Sequence, residues 1–230
     1  MFQAHLVQLL TLTAMEPPAI VEANALRDEK VKVLRAVCPI THSVRGQYRG
    51  YREEPGVDPN SRTPTYALLK VWVDNWRWRD VPFYLRSGKR LGQKVTEITV
   101  QFRHVPHLMF PLPPGRELTP NLLSLRLQPD EGTTLRFEAK EPGAGMRPRS
   151  AEMGFRYAEA FGPHILPDAY ERLLLDAMQG DAALFARSDE IELSWSLMDP
   201  VLAHWQEPSA PPLRIYEPGS WGPDEAEVDQ

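Results

Sequence analysis

Four cations, Arg86, Lys89, Arg90 and Lys94, fall within nine residues around a Ser87-Gly88 step. The stretch enters as a strand, with Val81, Phe83 and Leu85 alternating toward one face. Gly88 lets the backbone turn where a side chain would clash. A strand that delivers ammonium and guanidinium groups to a tight turn suits a phosphate or another anion, because such donors make charge-assisted hydrogen bonds from fixed positions. The same residues also fit a solvated strand end, and the spacing alone leaves both readings open.

The remaining reactive side chains are sparse. His5 sits beside a helical stripe, where an imidazole serves either as a base near neutral pH or as a packing residue. His104 and His107 flank Val105-Pro106 in a loop with no carboxylate or thiol cluster nearby, which reads as a solvated loop rather than a metal site. Cys38 is the single cysteine. It excludes an intrachain disulfide, reads as a small packed residue, and suggests a reducing, cytoplasmic setting. Glycines are nowhere arranged as strand, Gly-x-Gly-x-x-Gly, helix, and no Walker loop occurs, so the chain carries no dinucleotide fingerprint of its own.

The elements that must position these groups follow from periodicity. Phe2, Leu6, Leu9, Leu10 and Thr13 make a helical stripe that starts at once without a cap, and Pro17-Pro18 ends it. A second helix is expected from Ala25 to Val37, capped by Asn24, with Asp28 and Glu29 at its positive end and Leu26, Val33 and Val37 inward. His42 to Arg49 reads as a strand and 50–64 as a long polar loop.

From Thr65 the period becomes two. Ala67, Leu69, Val71 and Val73 share a face, as do Ile98, Val100 and Phe102. Leu123, Leu125 and Leu127 follow, then Leu135, Phe137 and Ala139. With Val81 to Leu85 these make five strands of a largely antiparallel sheet. Lys70, Trp72, Thr99, Gln101, Ser124, Arg126 and Gln128 give its other side a mixed character suited to a second subunit. Glu141 to Ser150 reads as a Gly/Pro/Arg loop. The chain then returns to helix. Asp168 and Glu171 form a capping-box-like start, Tyr170, Leu173, Leu174 and Ala177 a buried stripe, and Gly180 a stop. Ser188 caps a last helix in which Ile191, Trp195, Met198, Leu202 and Trp205 share a face and Pro200 introduces a kink. Tyr216 to Gln230 reads as a frayed acidic tail. The fold class is α+β, a largely antiparallel sheet with helices packed on one face, in one domain over 1–216 followed by the tail 217–230.

Composition narrows the function classes. The 230 residues suffice for one good core, and 42% hydrophobic with 25% charged residues is ordinary for a globular protein. A net charge of −5 argues against general nucleic-acid binding. No apolar run is long enough to span a membrane, and the N-terminus lacks a signal-peptide layout.

Seven short pieces, in order, give the chain a resemblance. They are Gln3-Ala4-His5-Leu6 with Ala14-Met15-Glu16-Pro17-Pro18, the run Arg27 to Leu34, Gly46-Gln47-Tyr48, Val81 to Lys89, Arg126-Leu127-Gln128-Pro129, the run Pro167 to Asp176, and Gly219-Ser220-Trp221-Gly222-Pro223. Together they resemble the C-terminal domain of glucose-6-phosphate dehydrogenase, from the first residues nearly to the last. The resemblance implies that His5 is the base taking the C1 hydroxyl proton while hydride passes to NADP. It implies that Lys89, Lys94 and Gln128 bind glucose 6-phosphate, and that the chain forms a homodimer through its sheet. Ala4 stands where the family usually has asparagine. The aspartate that partners the histidine would precede residue 1, and the NADP-binding Rossmann domain and its Arg-Ile-Asp-His-Tyr-Leu-Gly-Lys motif are not in this sequence. The resemblance therefore implies the substrate-side and dimerisation half of such an enzyme, inactive by itself. The other reading is a non-catalytic module that pairs with itself or with a full-length enzyme.

Overall fold

A computed structural model describes residues 1–109, 111–112, 118–143, 145–162 and 169–224. In chain order they form a π-helical turn (Phe2–Leu6) running into α1 (Val7–Ala14), α2 (Ala23–Ala36), β1 (His42–Tyr48), a 3-10 turn (Tyr51–Glu53), β2 (Tyr66–Trp72), β3 (Pro82–Gly88) and β4 (Thr96–Gln101). Then come β5 (Leu122–Gln128), β6 (Gly132–Lys140), β7 (Pro148–Arg156), α3 (Tyr157–Phe161), α4 (Ala169–Gln179), α5 (Ser188–His204) and β8 (Leu213–Tyr216). The chain divides into two compact units, Met1–Gln93 with Ala169–Gln230, and Lys94–Asp168. The expected α+β class with mostly antiparallel pairing is present, as two four-stranded sheets rather than one.

The first unit has strand order β3-β2-β1-β8, antiparallel except for the parallel pair β1–β8. Alternation sends Ala67, Leu69, Val71 and Leu85 to one face, where they meet Val7, Leu10 and Ala14 of α1, Val33 and Leu34 of α2, and Met198, Val201 and Trp205 around α5. The opposite face carries an aromatic layer of Tyr48, Tyr66 and Tyr216 with Leu68, set edge to face at centroid separations of 5.7 to 6.4 Å.

Two buried polar contacts lock the helices and the late strand in place. Lys30 Nζ lies 2.6 Å from Glu190 Oε2, with side chains 7% and 0% exposed, and joins α2 to α5. Gln8 Nε2 of α1 also donates to that carboxylate at 3.5 Å. Arg45, itself buried, donates to the carbonyls of Pro211 at 2.7 Å and Trp205 at 2.5 Å. The loop over 50–64 is pinned from beneath by Gln47, whose amide donates to the carbonyls of Ser61 and Thr63.

Several local expectations change. The opening turn is π-helical, with the Val7 N–H bonded to the Phe2 carbonyl. Its wider turn shifts the phase, so the buried stripe is Val7, Leu10, Thr11 and Ala14, and Leu12 is exposed. α2 starts at Ala23 after Glu22 and buries Lys30, Val31, Val33 and Leu34. The α4 stripe is not buried. Tyr170, Leu174 and Met178 are 77%, 65% and 86% exposed, and Asp176 is the buried residue, held by Arg172 one turn earlier. Asp168, expected to cap α4, lies outside the described residues, while Gly180 ends the helix at a φ of +72°. α5 has Arg187 rather than Ser188 at its N-cap and continues through Pro200.

The frayed tail is corrected over 217–224. Gly219 donates to the Arg90 carbonyl and Gly92 to that of Ser220. Gly222, at a φ of +114°, crosses so close over Tyr66 that a Cβ there would come within 2.5 Å of the ring. Residues 225–230 lie outside the described residues.

The second unit is the sheet β4-β5-β6-β7, antiparallel throughout. β7 replaces the loop expected at 141–150 for its first three residues. Register sets Ile98, Leu125, Thr133 and Phe155 in one row and Val100, Leu123, Leu135 and Met153 in the next, on one face.

Candidate functional site

In the first unit the alternation that buries Leu85 continues through Ser87 to Lys89, whose N–H extends the pairing onto the Thr65 carbonyl at 2.8 Å. Ser87 and Lys89 thus emerge on the helix-covered face. Gly88 faces Tyr66 across the sheet, and a Cβ there would lie 2.8 Å from that ring, so the close approach requires glycine. The π-helical turn packs against both β3 and α5. Between these elements lies a cavity of about 270 Å³. Met1, Phe2 and Gln3 form one wall, Ser87, Gly88 and Lys89 a second, and Met198, Val201, Leu202 and Trp205 a third.

His5 lies on the same turn, exposed, with its N–H bonded to the Met1 carbonyl at 2.9 Å. The structure therefore brings the turn that carries His5 and the lysine of the Gly-Lys step to one face of one unit. Lys94 and Gln128 belong to the second unit. Gln128 ends β5 opposite Thr96, the first residue of β4, and Lys94 stands two residues before β4. Both are exposed at the same end of that sheet. The peptide bond after Gln128 is cis.

The cation cluster separates. Arg86 lies over the Trp221 ring at 5.4 Å, and Arg90 over Tyr48 at 5.2 Å while it pairs with Glu54. Both engage the aromatic side of the first sheet, so of the four cations only Lys89 lines the cavity. On that aromatic side, burial pushes the Tyr66 and Tyr216 hydroxyls above the usual phenol range, against the opposing pull of Arg86 on Tyr66.

Ser87, Gln3 and Trp205 appear in the sequence analysis as motif or packing residues and were not assigned to the site. Ser87 had a usable signal, since it is two residues before Lys89 on a period-two strand. Gln3 stood in the His5 motif, but its nearness to Trp205 depends on packing between the two ends of the unit. Among the described residues no three His, Cys, Asp or Glu side chains are placed to hold a metal, and no helix is long and apolar enough to cross a membrane.

A helix-backed mixed sheet with a basic strand end beside a histidine-bearing turn defines the class as an α+β domain. The profile described as glucose-6-phosphate dehydrogenase, C-terminal domain, matches residues 1–228, and the chain belongs to that family. Glucose-6-phosphate 1-dehydrogenase of Mycolicibacterium smegmatis is 48% identical over 244 residues, covering 98% of this chain and 48% of that protein. The protein of the same name from Aggregatibacter actinomycetemcomitans is 45% identical over 243 residues, covering 99% and 48%. Among solved structures, glucose-6-phosphate 1-dehydrogenase from Mycobacterium avium superposes with a TM-score of 0.84 at 43% identity, covering 98% of this chain and 47% of that one. A glucose-6-phosphate dehydrogenase in complex with its substrate glucose 6-phosphate gives 0.87 at 38% identity, covering 96% and 47%. The chain spans about half the length of the curated relatives it matches.

Proposed function

We propose that this chain is the substrate-side half of a glucose-6-phosphate dehydrogenase, which oxidises C1 of glucose 6-phosphate with NADP as hydride acceptor and turns over only when joined to the amino-terminal half present in its relatives. The observation that carries this reading is the placement of the His5 turn and Lys89 on one face of the first unit. His5 accepts the C1 hydroxyl proton, the C1 hydrogen leaves as hydride, and the ring carbon becomes the carbonyl of a lactone. A neutral imidazole is a suitable base for that step near pH 7. Lys89 holds the sugar phosphate through a charge-assisted contact, and the family resemblance implies substrate contacts for Lys94 and Gln128 as well. NADP supplies only the hydride-accepting ring. NADP is assigned mainly to the amino-terminal half, because this sequence has no strand, Gly-x-Gly-x-x-Gly, helix arrangement.

Homodimerisation through the sheet belongs to the same reading, on a different face from the one the sequence suggested. Thr99, Ser124 and their neighbours are polar, with the two hydroxyls 3.4 Å apart. The opposite face of β4–β7 is apolar, with Met153 59% exposed and Phe155, beside the Tyr157 and Phe161 rings, 41% exposed. Pairing that face with its two-fold mate removes it from water.

The test joins this chain to the amino-terminal half of the Mycolicibacterium smegmatis relative. The fusion should reduce NADP in the presence of glucose 6-phosphate, and the 230-residue chain alone should not. In the fusion, His5→Asn should lower kcat by about 10²- to 10⁴-fold with little change in substrate affinity. Lys89→Ala should chiefly raise KM. A His5→Asn fusion that keeps its kcat within about threefold of the parent, below the range for a general base, would remove His5 from the role.

A further inference from the structure

Gln47 is buried in β1, and three arginines gather around it. Its amide nitrogen donates to the carbonyls of Ser61 and Thr63 at 3.1 and 3.0 Å, which fastens the backbone on both sides of Arg62 to the strand. Its amide oxygen accepts from Arg52 Nε at 3.1 Å. Arg45 lies two residues earlier on the same face of β1 and is 2% exposed. The Arg45 guanidinium donates through Nε and Nη1 to the carbonyls of Pro211 and Trp205, and among the described residues its Nη2 has no acceptor.

These guanidiniums lack a counter-charge. Among the described residues, none of the three pairs with a carboxylate. The acids of the same loop are engaged elsewhere, Glu54 with Arg90 and the Tyr48 hydroxyl, Asp58 with the Asn60 N–H. Burial first, and then the charge of Arg62, lowers the Arg45 pKa below its ordinary value. Exposed Arg52 and Arg62 would be ordinary surface residues by themselves. A buried guanidinium set against a like charge is not, because buried charges are as a rule paired.

We propose that Arg45, Arg52 and Arg62 form a binding site for a phosphate dianion, either free or as the phosphoryl group of a small ester, beside Gln47. Planar guanidinium forks match phosphate oxygens and hold them with charge-assisted hydrogen bonds. The strand and the loop that carry the three forks are already joined through Gln47, so little ordering remains for the ligand to impose. The phosphate supplies the charge that the cluster lacks. With a net charge of −5 the chain as a whole does not attract anions, so saturable binding would report a local site. None of these residues lines the cavity beside Lys89, and the proposal stands whether or not the chain serves in oxidising a sugar phosphate.

Isothermal titration calorimetry of the 230-residue chain with inorganic phosphate, at mildly alkaline pH and with ionic strength held constant by sodium chloride, should show a single saturable event. Glycerol 3-phosphate in its place separates the two sources: tighter binding assigns an ester, weaker binding the free ion, and either keeps the site. Arg52→Gln and Arg62→Gln should each weaken binding by about tenfold or more, the scale of one lost hydrogen bond to a charged group. Both side chains are exposed, so neither variant should lower the melting temperature measured without phosphate, and Arg62→Gln should raise it slightly by removing the repulsion. Lys89→Ala should bind phosphate like the parent. The absence of a saturable event overturns the proposal, as does an Arg62→Gln chain that binds like the parent. So does binding lost in Lys89→Ala, which moves the anion to the Gly-Lys turn, or an Arg62→Gln chain that melts well below the parent without phosphate, which makes Arg62 a structural contact.

Discussion

The two sheets have four strands each and unequal cover. The first is buried on both sides, by α1, α2 and α5 on one face and by the aromatic layer with residues 217–224 on the other. In the second, Pro148 is the only fully buried residue among those described. Its local cover is the short α3, whose Tyr157 and Phe161 rings stand 5.1 and 6.2 Å from Phe155. Strand pairing alone does not hold a sheet together in water, and an apolar face requires something to lie on it. The first unit thus buries the apolar faces it makes, and the second leaves one largely exposed.

The strongest way to break this contrast is to remove the first unit's advantage. Glu190→Ala strands the buried Lys30 ammonium, and loss of one member of a buried pair costs about 3–5 kcal/mol. Thermal melting followed by tryptophan fluorescence should show the drop, whereas replacing both residues together with leucine and methionine should restore most of it. The second unit should answer to a different change. Met153→Arg puts a charge on the exposed apolar face, and sedimentation should show the proposed homodimer weakened by about 2 kcal/mol, the scale of an interface hot spot, with the near-ultraviolet spectrum of the first unit unchanged.

Smaller changes sharpen the comparison. Gly222→Ala sets a Cβ against Tyr66 in a backbone conformation that L side chains avoid, and should cost about 1–3 kcal/mol in urea unfolding. Its effect should be confined to the transition of the first unit. The gentlest probe is alkaline pH. The raised Tyr66 and Tyr216 groups keep their protons in the fold at pH values where the unfolded chain has lost them. Native protein then binds more protons than unfolded protein, so stability falls as pH rises. That contribution is intact below about pH 10, the ordinary phenol value, and declines above it. Tyr216→Phe should flatten the decline, and a substitution at Phe155 should leave it unaltered.

What could be read from the sequence followed how local the cause was. β2 to β6 alternate visibly because their apolar residues fall at every second position. β7 alternates too, through Ala151, Met153 and Phe155, but Pro148 and Gly154 obscure it, and an edge strand tolerates both. β8 is four residues long and pairs in parallel with a strand far away in sequence, which no local pattern records. The stripe of α1 was displaced by the π turn, a geometry not visible in residue types. At the candidate site the chemistry-bearing types were legible, His5 by its motif and Lys89 by its Gly-Lys step. The separation of Arg86 and Arg90 onto the aromatic face was not, because it depends on Tyr48 and Trp221 arriving from elsewhere. The buried Lys30 was hidden for a similar reason. Its partner Glu190 lies on the last helix.

The parallel pairing of β1 with β8 also sets an order of events during synthesis. Arg45 donates to the carbonyl of Pro211, 166 residues later, and Tyr48 lies opposite Tyr216 in the register. The hairpins of β5 to β7 join neighbours in sequence and can form as soon as they leave the ribosome, because their loops are short to close. β1 is made before them and must wait until almost the whole chain has emerged, its outer edge unpaired throughout. An unpaired strand edge invites another chain to pair with it. For a nascent protein of this design the hazardous interval is thus fixed by translation time, and it closes only with the last four-residue strand.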